Sequence, residues 1–149
     1  MINNTIPIKI KKLSNNAKIP TCGTPFSAGY DAYSANIETL EILPHQTIQV
    51  STEIAVEIPE GYFMGVFARS GLATKEGLRP SNCVGIIDSD YRGPVIVALH
   101  NDSEAIRYIM PNERIAQLIV LPFMKWDITE INELSSTERG SGGFGSTGK

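Results

Sequence analysis

Val84-Gly85-Ile86-Ile87-Asp88-Ser89-Asp90-Tyr91-Arg92-Gly93-Pro94-Val95-Ile96-Val97 sets two β-branched runs around a short polar turn. β-Branched side chains favour extended backbone, and Gly93-Pro94 marks the second boundary. The stretch therefore predicts a strand, a turn and a return strand. Asp88 and Asp90 bring two carboxylates to the turn, and Tyr91 adds a ring. A turn held between rigid strands is a good platform for a general base. An ordinary hydrophilic hairpin turn has the same composition, so this segment alone leaves both readings open.

Outward from that turn, strand-like runs recur at 6–10, 48–50, 54–58, 62–67, 95–99, 106–109 and 115–121. Several alternate, as in Ile54, Val56 and Ile58. Pro59-Glu60-Gly61, Pro80-Ser81-Asn82 and Pro111-Asn112 separate them as turns. Short strands at such spacing predict an all-β sandwich or barrel, and 149 residues predict one domain. One short helix is expected. Ser70 is a good N-cap, residues 71–76 carry no proline, and Gly77 suits a left-handed C-terminal position. The composition changes at Arg139: residues 139–149 hold five of the 13 glycines and one aromatic, Phe144. That segment has too little apolar surface to order itself, so 1–138 is read as the domain and 139–149 as a mobile arm.

Bulk properties narrow the function. A net charge of −3 argues against a general nucleic-acid coat, while leaving room for a small anion held by local arginines. The longest apolar runs, such as Leu118-Ile119-Val120-Leu121, are far shorter than a membrane span. Met1-Ile2-Asn3-Asn4 has no basic region leading into an apolar stretch, so no secretory signal is expected. Two cysteines, Cys22 and Cys83, make no disulfide framework and suggest a reducing compartment, the cytoplasm or a host-cell interior for a viral gene.

Several segments carry polar groups suited to chemistry. Arg69-Ser70-Gly71 stands at the expected helix start, where backbone N–H groups face an anion; plain capping is the other reading. Ala28-Gly29-Tyr30-Asp31 offers another turn carboxylate, structural when taken alone. Gln117 interrupts an apolar strand and either faces solvent, the commoner case, or is held for a purpose. The run from Gly143 to Lys149 resembles a phosphate-binding loop, but such a loop needs a strand before it and a hydroxyl residue and a helix after it. Its glycine-rich backbone can still aim N–H groups at phosphate, with Arg139 adding charge. A solvated linker has no use for Phe144, whereas a ring on a flexible arm suits stacking on a base. His45 and His100 are isolated, so no protein-ligated metal cluster is expected.

These segments occur in the order and spacing of the five signatures of the trimeric dUTP diphosphatases (dUTPases), which the chain resembles. Ala28–Ala32 resembles the first, Ala68–Ala73 the second (with Ala68 where many members have proline), Asn82–Gly93 the third, Arg114–Leu118 the fourth and Arg139–Gly148 the fifth. The resemblance implies a jelly-roll-like subunit in a homotrimer with sites at subunit interfaces. It implies Mg²⁺-dependent hydrolysis of dUTP to dUMP and pyrophosphate, keeping uracil out of DNA and supplying dUMP for thymidylate synthesis. It matches Asp88 to the base that deprotonates water for attack at the α-phosphorus. Tyr91 matches the residue packed on the deoxyribose. Asn82 matches a uracil reader, helped by nearby backbone at Gly85 and Ile87. Arg69, Ser70, Gly71 and Gln117 match phosphate and water contacts, and Asp31 an outer-shell partner of Mg²⁺ reached through water. Arg139 matches the γ-phosphate contact and Phe144 the lid over uracil. Ser141, Gly145, Ser146 and Thr147 would close the tail on the phosphates. No nucleic acid or membrane partner is implied. Triphosphate cleavage needs charge neutralisation and a positioned water, and Mg²⁺ keeps several waters, so the missing ligand cluster fits.

Two alternatives remain. The dCTP deaminases share the fold but carry a catalytic glutamate shortly after the third segment, where this chain reads Ala98-Leu99-His100-Asn101. A regulatory binding protein on the same scaffold could dispense with Asp88, Tyr91 or the tail, and all three are present.

Overall fold

The computed structural model describes residues 5–144. Twelve strands form: β1 (Lys9–Lys12), β2 (Thr21–Cys22), β3 (Tyr30–Tyr33), β4 (Leu40–Ile42), β5 (Thr47–Ser51), β6 (Ile54–Glu57), β7 (Tyr62–Phe67), β8 (Leu78–Pro80), β9 (Val84–Ile87), β10 (Ile96–Asn101), β11 (Arg107–Ile109) and β12 (Arg114–Pro122). The largest sheet has the order β2-β3-β12-β7-β9, and a second has the order β5-β10-β8. The pairs β1-β6 and β11-β4 close the remaining sides. All pairings are antiparallel. The strands surround one core in which Ile42, Ile54, Leu78, Leu99, Ile109 and Ile115 are fully buried. This is the expected all-β sandwich or barrel.

Strand β10 shows how the pattern becomes packing. Val97, Leu99 and Asn101 are buried, while Ile96, Ala98 and His100 are more exposed. Asn101 ends the buried row with an amide. Its Nδ2 donates to the carbonyls of Ile42, Leu43 and Ala105 at 3.1, 3.2 and 2.8 Å. Its Oδ1 accepts from the Ser103 N–H and hydroxyl. Removing one partner of a buried hydrogen bond costs about 1–3 kcal/mol. Asn101→Ala should therefore lower the urea midpoint at fixed protein concentration, by a stability loss of about 3 kcal/mol. A midpoint equal to the parent's would contradict this role.

The return strand of the opening segment does not pair with its predecessor. β9 pairs with β7, whereas β10 pairs with β5 and β8. Residues 88–95 therefore cross from one sheet to another. Val95 anchors the far side, donating to Ile54 O and accepting from Thr52 N and Oγ1. β-Branching specifies extended backbone and leaves the partner strand open.

The helix occupies 70–76, with a π-type turn over Leu72–Glu76. Gly77 takes the expected left-handed conformation at φ 71, and its N–H reaches Leu72 O. Ser70 is not the N-cap. Ala73 N already bonds Arg69 O at 2.9 Å, so Ser70 lies inside the first turn, and its carbonyl accepts from Thr74 Oγ1 at 2.6 Å.

Beyond Pro122 the described chain forms no strand or helix, and nearly every residue is exposed. Met124, Trp126 and Ile128 alternate there with Lys125, Asp127 and Thr129. No helix among the described residues is long and apolar enough to cross a membrane.

Candidate active site

The large sheet builds a polar cluster at one end. Across its central strands, Asp31 on β3 stands opposite Gln117 on β12, which stands opposite Phe67 on β7. The backbone then continues past Phe67 to Ala68, Arg69 and Ser70. Asp31 is thus on a strand rather than in a turn, a correction to the reading of Ala28–Asp31. Its Oδ1 accepts from Arg69 Nε at 2.8 Å, and its Oδ2 from Arg114 Nη1 at 3.2 Å. Arg69 Nη1 also donates to Arg114 O at 3.2 Å. The Asp31 and Arg69 side chains retain only 17% and 26% of their exposure, so solvent screens this pair less than a surface pair. With Nε and Nη1 engaged, the Arg69 guanidinium is held in one plane. Its Nη2 has no hydrogen-bond partner among the described residues.

A β-bulge makes this cluster possible. The register of β12 against β3 shifts between Arg114 and Ala116. In a regular strand, residues three apart point to opposite faces. One extra residue reverses that relation, so Arg114 and Gln117 both address the Asp31 row. Arg114 was therefore missed as a site residue, because alternation alone gives no sign of a bulge. Of the two readings of Gln117, the structure favours a held side chain over a solvent-facing one. It is half-buried, and its Nε2 donates to Ala68 O at 2.8 Å. Gly29 supplies the space: a Cβ there would lie 2.6 Å from Gln117 Oε1.

The carboxylate turn lies elsewhere. Val84 pairs with Phe67 and Ile87 with Met64, so Asp88 sits at the sheet end opposite Arg69. At about 3.3 Å per residue, the step from Val84 to Asp88 is about 13 Å. Two strand spacings, each about 4.8 Å, further separate β9 from β12. Asp88 is exposed, and its carbonyl accepts from Tyr91 N at 3.2 Å to close the turn. Arg92 Nη1 staples it through the carbonyls of Ser89 and Tyr91 at 2.6 and 3.0 Å. Tyr91 Oη donates to Pro94 O at 3.1 Å.

Asn82 leads into β9. It is exposed and stands close to Gly85, where a Cβ would lie 3.3 Å from Asn82 Nδ2. Gly85 is buried against Val66, and Ile87 is half-buried. Arg79, just upstream, clamps Asp102 from Nε and Nη2 at 2.6 and 2.9 Å. Those hydrogen bonds hold the Asp102 carboxyl below the usual carboxylate range.

The described tail residues form no hydrogen bond with either cluster. Arg139 Nε donates to Gly142 O within the arm at 2.9 Å, Ser141 is exposed, and the Phe144 ring is fully exposed. Gly145, Ser146 and Thr147 lie outside the described residues. Among the described residues, no group of three His, Cys, Asp or Glu side chains could hold a metal ion.

The all-β scaffold thus carries an arginine-clamped carboxylate and a half-buried glutamine at one end of its large sheet and a separate carboxylate turn at the other. A family model described as dUTPase matches residues 15–148. A deoxyuridine 5'-triphosphate nucleotidohydrolase of Nautilia profundicola is 47% identical over 142 residues, covering 95% of this chain and 99% of that one. A Staphylococcus bacteriophage 80alpha dUTPase solved with dUPNHPP superposes with a TM-score of 0.88 at 32% identity, covering 97% of this chain and 100% of that one. A mutant dUTPase from phage phi11 of S. aureus, whose structure reveals coordination of a structural Mg(II) ion, superposes with a TM-score of 0.76 at 28% identity, covering 87% and 99%. The chain belongs to the dUTPase family. The resemblance drawn from the ordered segments is thus borne out.

Proposed function

We propose that the protein hydrolyses dUTP to dUMP and pyrophosphate, in a homotrimer whose sites draw on more than one subunit. The observation that carries this reading is the separation just described. One chain holds an anion cluster at Arg69 and Gln117 and a base turn at Asp88, yet its β-register keeps them at opposite ends of a sheet. A neighbouring subunit can bring the two ends together, and cyclic symmetry repeats the junction three times. The exposed alternation at Met124, Trp126 and Ile128 supports the assembly, because an apolar row of that kind calls for a covering surface.

In this site, Asp88 takes the proton of a water that attacks the α-phosphorus. The α–β bridging oxygen leaves with pyrophosphate. Arg69, Ser70 and Gly71 meet phosphate oxygens, and Gln117 orients water or phosphate. Positioning and charge neutralisation supply most of the acceleration in such a reaction. Asn82 and the backbone at Gly85 and Ile87 read uracil, and Tyr91 packs on the deoxyribose. Residues 139–149 act as a mobile arm, with Arg139 on the γ-phosphate and Phe144 over the base. Ser141, Gly145, Ser146 and Thr147 complete the closure, which shuts out bulk water and keeps the attacking one.

The residues fit a Mg²⁺ ion held mainly by substrate and water. Both Asp31 oxygens already accept from arginines, which disfavours direct ligation and leaves lone pairs for a metal-bound water. Bound Mg²⁺ would neutralise triphosphate charge.

Pyrophosphate release with dUTP, dCTP, dTTP and UTP tests the reading. A site built to pair with uracil leaves polar groups unpaired against cytosine. A close β9 backbone crowds the thymine methyl, and Tyr91 rejects ribose. The kcat/KM for dUTP should exceed that for each of the others by at least about 10²-fold. Comparable efficiency on dTTP or UTP would overturn the selectivity argument, and ammonia release from dCTP would point to deamination.

A further inference from the structure

We propose that Gly93 is a specificity-determining position, whose missing side chain seats the Tyr91 ring at the height that rejects a 2′-hydroxyl. The proposal rests on the reading of Tyr91 as the sugar-packing residue. A Cβ built on Gly93 would lie 2.6 Å from Tyr91 Cζ and 3.0 Å from Cε2, and it would also meet Oη. The ring therefore lies directly over the Gly93 backbone. Positive φ does not explain the glycine: among the described residues, the positive-φ glycines are Gly61, Gly77 and Gly140. Alanine is thus acceptable to the backbone at position 93, and the ring is what excludes it.

The ring is fixed from three sides. Its backbone is tied through Tyr91 N to Asp88 O. Its hydroxyl donates to Pro94 O at 3.1 Å. The hydroxyl end of the ring rests on Gly93, and the residue still keeps 41% exposure for a ligand. Carbon atoms pack at about 3.5–4.0 Å, so an alanine at 93 must displace the ring by about 1 Å. A displacement of that size matters at a site whose selectivity depends on leaving no room for one oxygen atom. The expected motion breaks the bond to Pro94 and swings the ring away from the sugar.

Gly93→Ala should lower the dUTP-to-UTP ratio of kcat/KM by about tenfold or more, by admitting UTP. A loss of activity shared by both substrates leaves that ratio unchanged, so the ratio separates selectivity from general damage. Tyr91→Ala alone should also collapse the ratio. In that background, Gly93→Ala should change it by less than about twofold, because no ring remains to displace. If Gly93→Ala folds poorly, the double variant should recover the fold because the clash is gone, and a double variant that folds no better overturns the proposal. An unchanged ratio in Gly93→Ala, with Tyr91→Ala still relaxing selectivity, overturns the Gly93 proposal alone. An unchanged ratio in Tyr91→Ala overturns the reading of Tyr91 and this proposal with it. An equal effect of Gly93→Ala with and without the ring also overturns it.

Discussion

Asp88→Asn should leave the subunit folded and reduce kcat on dUTP by about 10²–10⁴-fold, the usual contribution of a general base. The side chain is exposed in a turn, so little packing is lost. The turn is closed by backbone and Arg92 contacts that do not involve the Asp88 carboxylate. Asparagine keeps the shape but accepts no proton from water. The loss should therefore appear in kcat, with KM for dUTP nearly unchanged. Near-parental turnover at saturating dUTP and Mg²⁺ would remove Asp88 from the role.

Deleting residues 139–149 should leave the thermal midpoint of the ligand-free protein within error of the parent, yet cut kcat/KM by about 10²–10³-fold. The described part of this segment contacts little. Arg139 bonds within the arm and the Phe144 ring is fully exposed, so the core loses almost nothing. On the proposed reading, the arm should contribute only where it meets substrate. A large drop in the ligand-free midpoint would make it structural instead.

Much of the scaffold was legible in the sequence because β-branched runs and Pro/Gly turns report local backbone directly. The runs at 48–50, 62–67 and 115–121 all fall within strands. The left-handed Gly77 was legible for the same reason, since a C-cap is a local requirement. Pairing was not legible. Nothing in Ile86-Ile87 or Ile96-Val97 states that these strands join different sheets. Asp31 looked like a turn residue because Gly29 precedes it, yet Gly29 is there to make room for Gln117. The bulge before Ala116 hid Arg114 and left the two readings of Gln117 undecided. The arm's composition changes at Arg139, whereas the last strand ends at Pro122. Phe123 still packs edge-on against Phe63, whereas Met124, Trp126, Ile128, Ile131 and Leu134 beyond it are all exposed in one chain.

The claim that each site combines residues of different subunits is tested most directly by mixed assemblies. Asp88→Asn chains with intact tails are co-refolded with chains that keep Asp88 and lack residues 139–149. Each parent assembly should be nearly inactive. In a random equal mixture, about one site in four draws Asp88 and a tail from the competent donors. Activity should recover to about a quarter of the parental value, with hybrid trimers confirmed by mass. Hybrid trimers whose activity stays at the level of the two inactive parents would show that each site takes Asp88 and its tail from a single chain.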